Sequence, residues 1–176
     1  MNVTDTWSRN LPKATLYLIV SAFLIAVAVF EAASSTEGSS GGARQAEVAT
    51  RGAQVMPFDL EQTMHIFQSL DDGGLQTVTA KDPANREQIA LIQAHLKQEA
   101  EKFQRGDFSD PAKIHGEEMP GLAQLKAGAG QIDVQYLPVA DGAQIRYTAK
   151  EPTLVMAIHH WFVAQRADHG RHATGH

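Results

Sequence analysis

The chain has 176 residues, of which 43% are hydrophobic and 20% charged, which is ordinary for one folded domain with additional segments. Its net charge is −5 and it has no basic stripe with interleaved aromatic residues, so no nucleic-acid partner is expected. It has no cysteine, which excludes disulfides, thiolate metal sites, iron–sulfur clusters and covalently attached c-type haem.

An uncharged apolar run occupies residues 14–30 near the start of the sequence. As a helix it would be about 26 Å long, close to the minimum for crossing a bilayer. Arg9 and Lys13 precede it, so residues 1–13 are expected to be cytoplasmic and the remainder exported to the periplasm. The pattern predicts a single-pass transmembrane helix or signal anchor at 14–33 in the inner membrane. A cleaved signal peptide is the alternative.

A stretch rich in serine and glycine follows the apolar run and shows no hydrophobic periodicity. It predicts a flexible tether over residues 34–55. The folded extracytoplasmic domain is then expected at 56–170, with a short tail at 171–176.

The most informative pattern is a repeat with an offset of 69 residues. The segment DGGLQTVTAKDP at 72–83 nearly recurs as DGAQIRYTAKEP at 141–152, and seven of eighteen aligned positions are identical. An Asp-Gly pair between alternating apolar runs is typical of a hairpin turn, and a proline just beyond is typical of a helix start. Each copy therefore predicts two strands joined by a turn and followed by a helix.

In the first copy, strands at 64–70 and 75–80 precede a helix over about 84–104. In the second, strands at 131–137 and 143–149 precede a helix over about 152–169, and a short helix is expected at 122–126 between the copies. Neither half can bury its apolar face alone. The sequence predicts an α+β fold with an internally duplicated ββα-ββα order, a four-stranded antiparallel sheet covered by two helices and a preceding transmembrane helix.

The histidines distinguish the two copies, because all eight lie after residue 64 and none aligns with another histidine. His65 aligns with Val134, and His169 aligns with Ala100. The scaffold therefore does not require these imidazoles. His65 and His169 are predicted on the core side of their elements, and His115 on the connector between the copies.

This distribution raises the hypothesis of a metal site with His65, His115 and His169 as first candidates and with His159 and Met119 as secondary ones. Imidazole with thioether would suit copper, and imidazoles alone would suit zinc or nickel. Buried structural histidines are the competing interpretation, since no recognised ligand spacing is present.

Acid–base chemistry is a further alternative, because Glu117 and Glu118 follow His115 closely. No nucleophile elbow, phosphate loop or paired-carboxylate motif accompanies them. The sequence therefore favours a protein without catalytic activity. A third alternative is a small-ligand pocket between sheet and helices, lined by residues such as Phe67, Tyr136 and Trp161.

Several segments together resemble a group of small exported bacterial proteins that carry the label aspartate carbamoyltransferase. They are RGAQVMPFDL (51–60), HIF (65–67), GGLQ (73–76), HG (115–116), MPG (119–121) and AQRADHG (164–170), and the resemblance covers about 51–172. It implies an exported protein. The phosphate-binding Ser-Thr-Arg-Thr type of loop that marks true carbamoyltransferases does not occur in this sequence, so that activity is not expected.

Two functions are the leading hypotheses. The first is a membrane-anchored, non-catalytic accessory subunit that docks on a larger integral membrane complex through its N-terminal helix. The second is an exported protein that binds a copper or zinc ion through its histidines.

Overall fold

The computed structural model describes residues 40–175. Of the two units into which the chain divides, residues 1–42 and 43–176, the account below concerns the second. The predicted transmembrane segment at 14–33 lies outside the described residues. Among the residues that are described, no helix is long and apolar enough to cross a membrane.

The second unit contains one sheet and five helices among its described residues. The strands are β1 (Thr63–Leu70), β2 (Gly73–Ala80), β3 (Ile132–Val139), β4 (Gly142–Ala149) and β5 (Ala173–Thr174). The helices are α1 (residues 43–52, with 40–42 also helical), α2 (Arg86–Gln104), α3 (Ser109–His115), α4 (Leu122–Ala127) and α5 (Pro152–His169). Short 3-10 helices at Leu60–Gln62 and Gly170–His172 complete the set.

The sheet is mixed and has the strand order β3-β4-β2-β1-β5. Its four long strands are antiparallel, whereas β5 pairs in parallel with β1. The α+β class is confirmed, but the prediction of a four-stranded, fully antiparallel sheet is wrong. The predicted tail at 171–176 supplies the fifth strand, because Ala173 pairs with His65 and Thr174 with Ile66.

The two halves share one register. In the first hairpin Thr63 pairs with Ala80, and in the second Ile132 pairs with Ala149, each 69 positions later. The central pairing of β2 with β4 is symmetric as well, since Gly73 opposes Thr148 and Thr79 opposes Gly142. The two halves therefore adopt the same ββα arrangement around a pseudo-two-fold axis between β2 and β4.

Both long helices cover the same face of the sheet. The ring of Tyr147 on β4 contacts Phe103 on α2, with centroids 6.2 Å apart, and Trp161 on α5, with centroids 5.6 Å apart. From Ile132 to Leu137 the residues of β3 alternate between more buried and more exposed, as expected for a sheet covered on one side. Asn85 caps the N-terminus of α2, because its side chain accepts a hydrogen bond from the main-chain N–H of Gln88.

The predicted flexible tether at 34–55 is not found over residues 40–55, which are the part of it that the structure describes. Residues 43–52 form α1, and Val48 on this helix is 1% exposed within the core. The side chain of Gln45 donates to the carbonyl oxygen of Ala167 near the end of α5. Helix α1 is therefore an integral element of the folded domain.

Candidate functional site

A small cavity of about 50 Å³ lies between the sheet and the helices, and we call it the histidine pocket. Four of its walls carry an imidazole: His65 on β1, His95 on α2, His115 at the end of α3, and His169 at the end of α5. Polar and apolar side chains complete the lining: Met56, Phe58, Phe67, Gln76, Leu96, Glu99, Phe103, Pro111, Ile114, Ile145, Trp161 and Gln165.

The three histidines predicted as first candidates come together in this pocket. The ring of His65 stacks on that of His169, with centroids 4.8 Å apart and planes 10° from parallel. The ring of His115 meets His169 edge to face, with centroids 5.1 Å apart. The alternation of β1 places His65 inward, and the spacing of α5 places His169 on the helix face that also carries Trp161 and Phe162.

The secondary candidates lie elsewhere. The Nε2 atom of His159 is 2.9 Å from the carbonyl oxygens of both Leu70 and Gly73, so its N–H stabilises the turn between β1 and β2. Met119 is 5% exposed, and it lines a separate surface cleft beside His115. Neither His159 nor Met119 lines the histidine pocket.

A carboxylate orients His115. Its Nδ1 atom lies 2.8 Å from Oδ2 of Asp168, and its side chain is 2% exposed. Arg44 on α1 donates to both carboxylate oxygens of Asp168, at 3.0 and 2.7 Å. The acidic partner of His115 is thus Asp168 on α5, and not Glu117 or Glu118, the nearby carboxylates that the sequence offered.

Burial keeps the pocket imidazoles neutral. It lowers the pKa of His65 to about 3 and the pKa of His95 to about 4. Burial likewise lowers the pKa of His115, although the bond to Asp168 opposes this shift, and it lowers the pKa of His169 well below its ordinary value. At neutral pH these four rings offer lone pairs and N–H donors but no positive charge.

Glu99 is a pocket residue that the sequence reasoning missed. Burial raises the pKa of this carboxyl to about 7, although Lys102 donates to it at 2.8 Å. Lys102 also binds Asp110, so one ammonium bridges two acidic side chains. A signal was present, because Glu99 lies at helical spacing from Leu96 and Phe103 on the apolar stripe of α2.

Three pocket side chains carry a buried polar atom that has no hydrogen-bond partner within the described residues: Nδ1 of His65, Nε1 of Trp161 and Oε1 of Gln165. Such atoms are rare in folded proteins, since each costs about 1–3 kcal/mol of desolvation. Their occurrence on one pocket indicates a site with spare hydrogen-bonding capacity.

The ring geometry does not form a ready metal site. Imidazole lone pairs lie in the ring plane, so the near-parallel rings of His65 and His169 cannot direct theirs at one ion. In residues 40–175 no group of three or more histidine or acidic side chains is arranged to hold a metal ion.

No protein-family model, curated protein or solved structure matches the chain. The resemblance to small exported bacterial proteins therefore stays a prediction from the sequence.

Proposed function

We propose that the folded domain binds a small molecule in the histidine pocket, on the exported side of a membrane to which the predicted N-terminal helix attaches it. The observation that carries the proposal is the concentration of unpartnered buried atoms on His65, Trp161 and Gln165 around one cavity. A bound molecule that completes their hydrogen bonds would offset their cost.

The pseudo-symmetry supports a functional origin for the histidines. The positions equivalent to His65 and His169 are Val134 and Ala100, which are 8% and 4% exposed in the other half. The same scaffold therefore accommodates aliphatic side chains at both places. The imidazoles and their cost are specific to the half that has the pocket.

Native mass spectrometry of the full-length protein in detergent tests this proposal. We expect a small-molecule adduct on the wild type that is lost in the double variant His65→Val, His169→Ala, which copies the residues of the other half. Val134→Thr is the matched control and should keep the adduct. A wild type without an adduct, or equal adducts on all three proteins, would contradict the proposal.

Metal binding is the second candidate, and the orientation of His115 favours it. A carboxylate that accepts the Nδ1 proton of a histidine leaves Nε2 free as a ligand, which is the usual arrangement around protein-bound zinc. Copper or zinc would require a rotation of His65 or His169, whose rings are stacked. Metal analysis of untagged protein decides: stoichiometric copper or zinc that disappears in His115→Ala would favour this candidate over the first.

We also propose, from the predicted anchor, that the domain works as an accessory subunit beside a larger membrane complex. In its support, Met156 and Val163 lie two helical turns apart on α5 and are 49% and 54% exposed. Gentle detergent extraction followed by size analysis should show a particle larger than the monomer. A clean monomer would argue against docking through this face. So would a complex of unchanged size in the double variant Met156→Ser, Val163→Ser.

A further inference from the structure

We infer that the ligand of the histidine pocket is a small, planar, neutral molecule that donates at least two hydrogen bonds, as a primary amide or a urea does. This inference rests on the proposed ligand-binding function and names its chemical class. It follows from which lone pairs and which protons the pocket leaves available.

His115 supplies the first acceptor. Arg44 binds both oxygens of Asp168, and these bonds together with His115 hold the pKa of that carboxyl below its usual range although burial opposes them. Asp168 is therefore an acceptor, and the Nδ1 atom of His115 must be the donor across their 2.8 Å contact. In a neutral ring the Nε2 atom then keeps its lone pair.

His65 supplies the second acceptor. Burial lowers the pKa of its ring, and the main chain of His172 opposes this shift, as a carbonyl oxygen that accepts from a ring N–H does. The remaining nitrogen, Nδ1, has no partner among the described residues, and in a neutral ring it carries only a lone pair. Gln165 supplies the third acceptor, since its Oε1 is likewise unpartnered and cannot donate.

The charges around the pocket favour a neutral ligand. The four imidazoles provide no positive charge for an anion, and the carboxyl of Glu99 lies on the same wall as His95. A cation would need an uncompensated carboxylate, but Glu99 already accepts from Lys102 at 2.8 Å. The indole N–H of Trp161 is an unpartnered donor, so one acceptor on the ligand is matched as well.

The size and walls of the pocket limit the ligand further. A cavity of about 50 Å³ accepts a molecule of only a few non-hydrogen atoms. The rings of Phe58, Phe67 and Trp161 provide flat surfaces around it. Because each non-hydrogen atom needs about as much of the cavity as one water-sized group, planar molecules with about four non-hydrogen atoms fit these limits.

Five probes of nearly equal size separate the possible classes: urea and acetamide are neutral donors, acetone only accepts, acetate is an anion and guanidinium is a cation. We would titrate each at non-denaturing concentration into the full-length chain in detergent micelles, with ¹⁵N-labelled histidine and tryptophan. Urea and acetamide are expected to give saturable shifts of the His65, His115 and Trp161 ring signals. Their affinities should be at least tenfold higher than those of acetone, acetate and guanidinium.

Two variants connect the response to the pocket. Gln165→Leu should weaken urea and acetamide about tenfold, whereas Gln135→Leu on the exposed side of β3 should leave them unchanged. Tightest binding by acetone, acetate or guanidinium would overturn the ligand class while the pocket remained a binding site. If no probe gave a saturable shift of these rings, both the ligand class and the proposed function would be overturned.

Discussion

His65 and His169 stack face to face although they lie 104 positions apart in the sequence, with ring centroids 4.8 Å apart. By the offset of 69 residues, their equivalents in the other half are Val134 and Ala100, which line a surface groove together with Tyr136. One scaffold thus holds an imidazole pair on one side of its pseudo-two-fold axis and small aliphatic side chains on the other.

Gln165→Leu is expected to stabilise the domain. The substitution removes a buried carbonyl oxygen without a partner in the described structure, and the equivalent position in the other half is already Leu96. We expect the free energy of unfolding to rise by about 1 kcal/mol, from the usual cost of an unpaired buried polar group. Urea denaturation measures it. A loss of more than about 1 kcal/mol would mean that the amide is satisfied in a way that this structure does not show.

Asp168→Asn is expected to destabilise the domain by about 2 kcal/mol, since it weakens the bonds of this mostly buried carboxylate to the partly exposed Arg44 and to the buried His115. It should also release the His115 ring from its fixed tautomer, which ring ¹⁵N shifts report directly. Glu117→Gln is the control, because the exposed pair of Glu117 with Lys126 should contribute less than about 0.5 kcal/mol. Equal effects of the two variants would contradict the positioning role of Asp168.

Stability should fall as the pH falls from 7 to 5. An unfolded histidine binds a proton near pH 6.5, whereas His65 and His95 have folded-state pKa values of about 3 and 4. Each therefore contributes stability that is complete above pH 6.5, and each loses about 2 kcal/mol by pH 5. The lowered pKa values of His115 and His169 act in the same direction.

Glu99 opposes this loss. Its folded-state pKa of about 7 exceeds the unfolded value of 4.5, so the folded state gains about 2 kcal/mol as this carboxyl protonates between pH 7 and 5. The histidines outweigh it. Glu99→Gln should therefore steepen the loss by about 2 kcal/mol, as measured by denaturation at both pH values. An unchanged slope in this variant would show that Glu99 titrates normally in the folded domain.

Gly73→Ala and Gly142→Ala should destabilise the domain by similar amounts, about 3 kcal/mol each, through backbone overlap. A Cβ at Gly73 would lie 2.1 Å from the carbonyl oxygen of Tyr147, and one at Gly142 would lie 2.0 Å from that of Val78. These contacts are related by the 69-residue offset. Thermal unfolding measures both variants. Gly130→Ala is the control, because an added Cβ there meets nothing within 4 Å, so this variant reports the strain of a positive φ without steric overlap. If one of the two glycines tolerated alanine, the halves would not be equivalent at this contact.

Much of the fold could be predicted because its signals are local. The alternation of β1 and β4 and the apolar stripe of α2 specify these elements with little error, and α5 begins and ends at the predicted residues. The predicted helix at 122–126 is present as α4. Within the hairpins, Gly73 and Gly142 begin strands, so each turn lies one residue earlier than the Asp-Gly pair suggests.

The missed elements depend on distant contacts. Helix α1 has one strongly buried apolar residue, Val48, and its Arg44 is held by Asp168, 124 positions away. The helix α3 has seven residues and contains Pro111, so its local pattern is weak. The strand β5 has two residues and forms only because β1 offers an open edge.

The candidate site was predictable in part. Comparison of the copies identified His65, His115 and His169 as additions to the scaffold, and the structure brings them together. It could not identify Asp168 as the partner of His115, because the two are 53 positions apart and no motif of known spacing joins them. Glu99 was missed as well, because its spacing places it on the apolar stripe of α2 but does not reveal that burial raises the pKa of its carboxyl.

The common register of the two hairpins has a consequence for how this domain can change. A symmetric pair of identical chains would have to accept every substitution twice, once in each cleft, and would double its energetic penalty. Here both clefts belong to a single polypeptide, so one of them can accumulate costly polar groups while its twin, with Val134 and Ala100, continues to support folding.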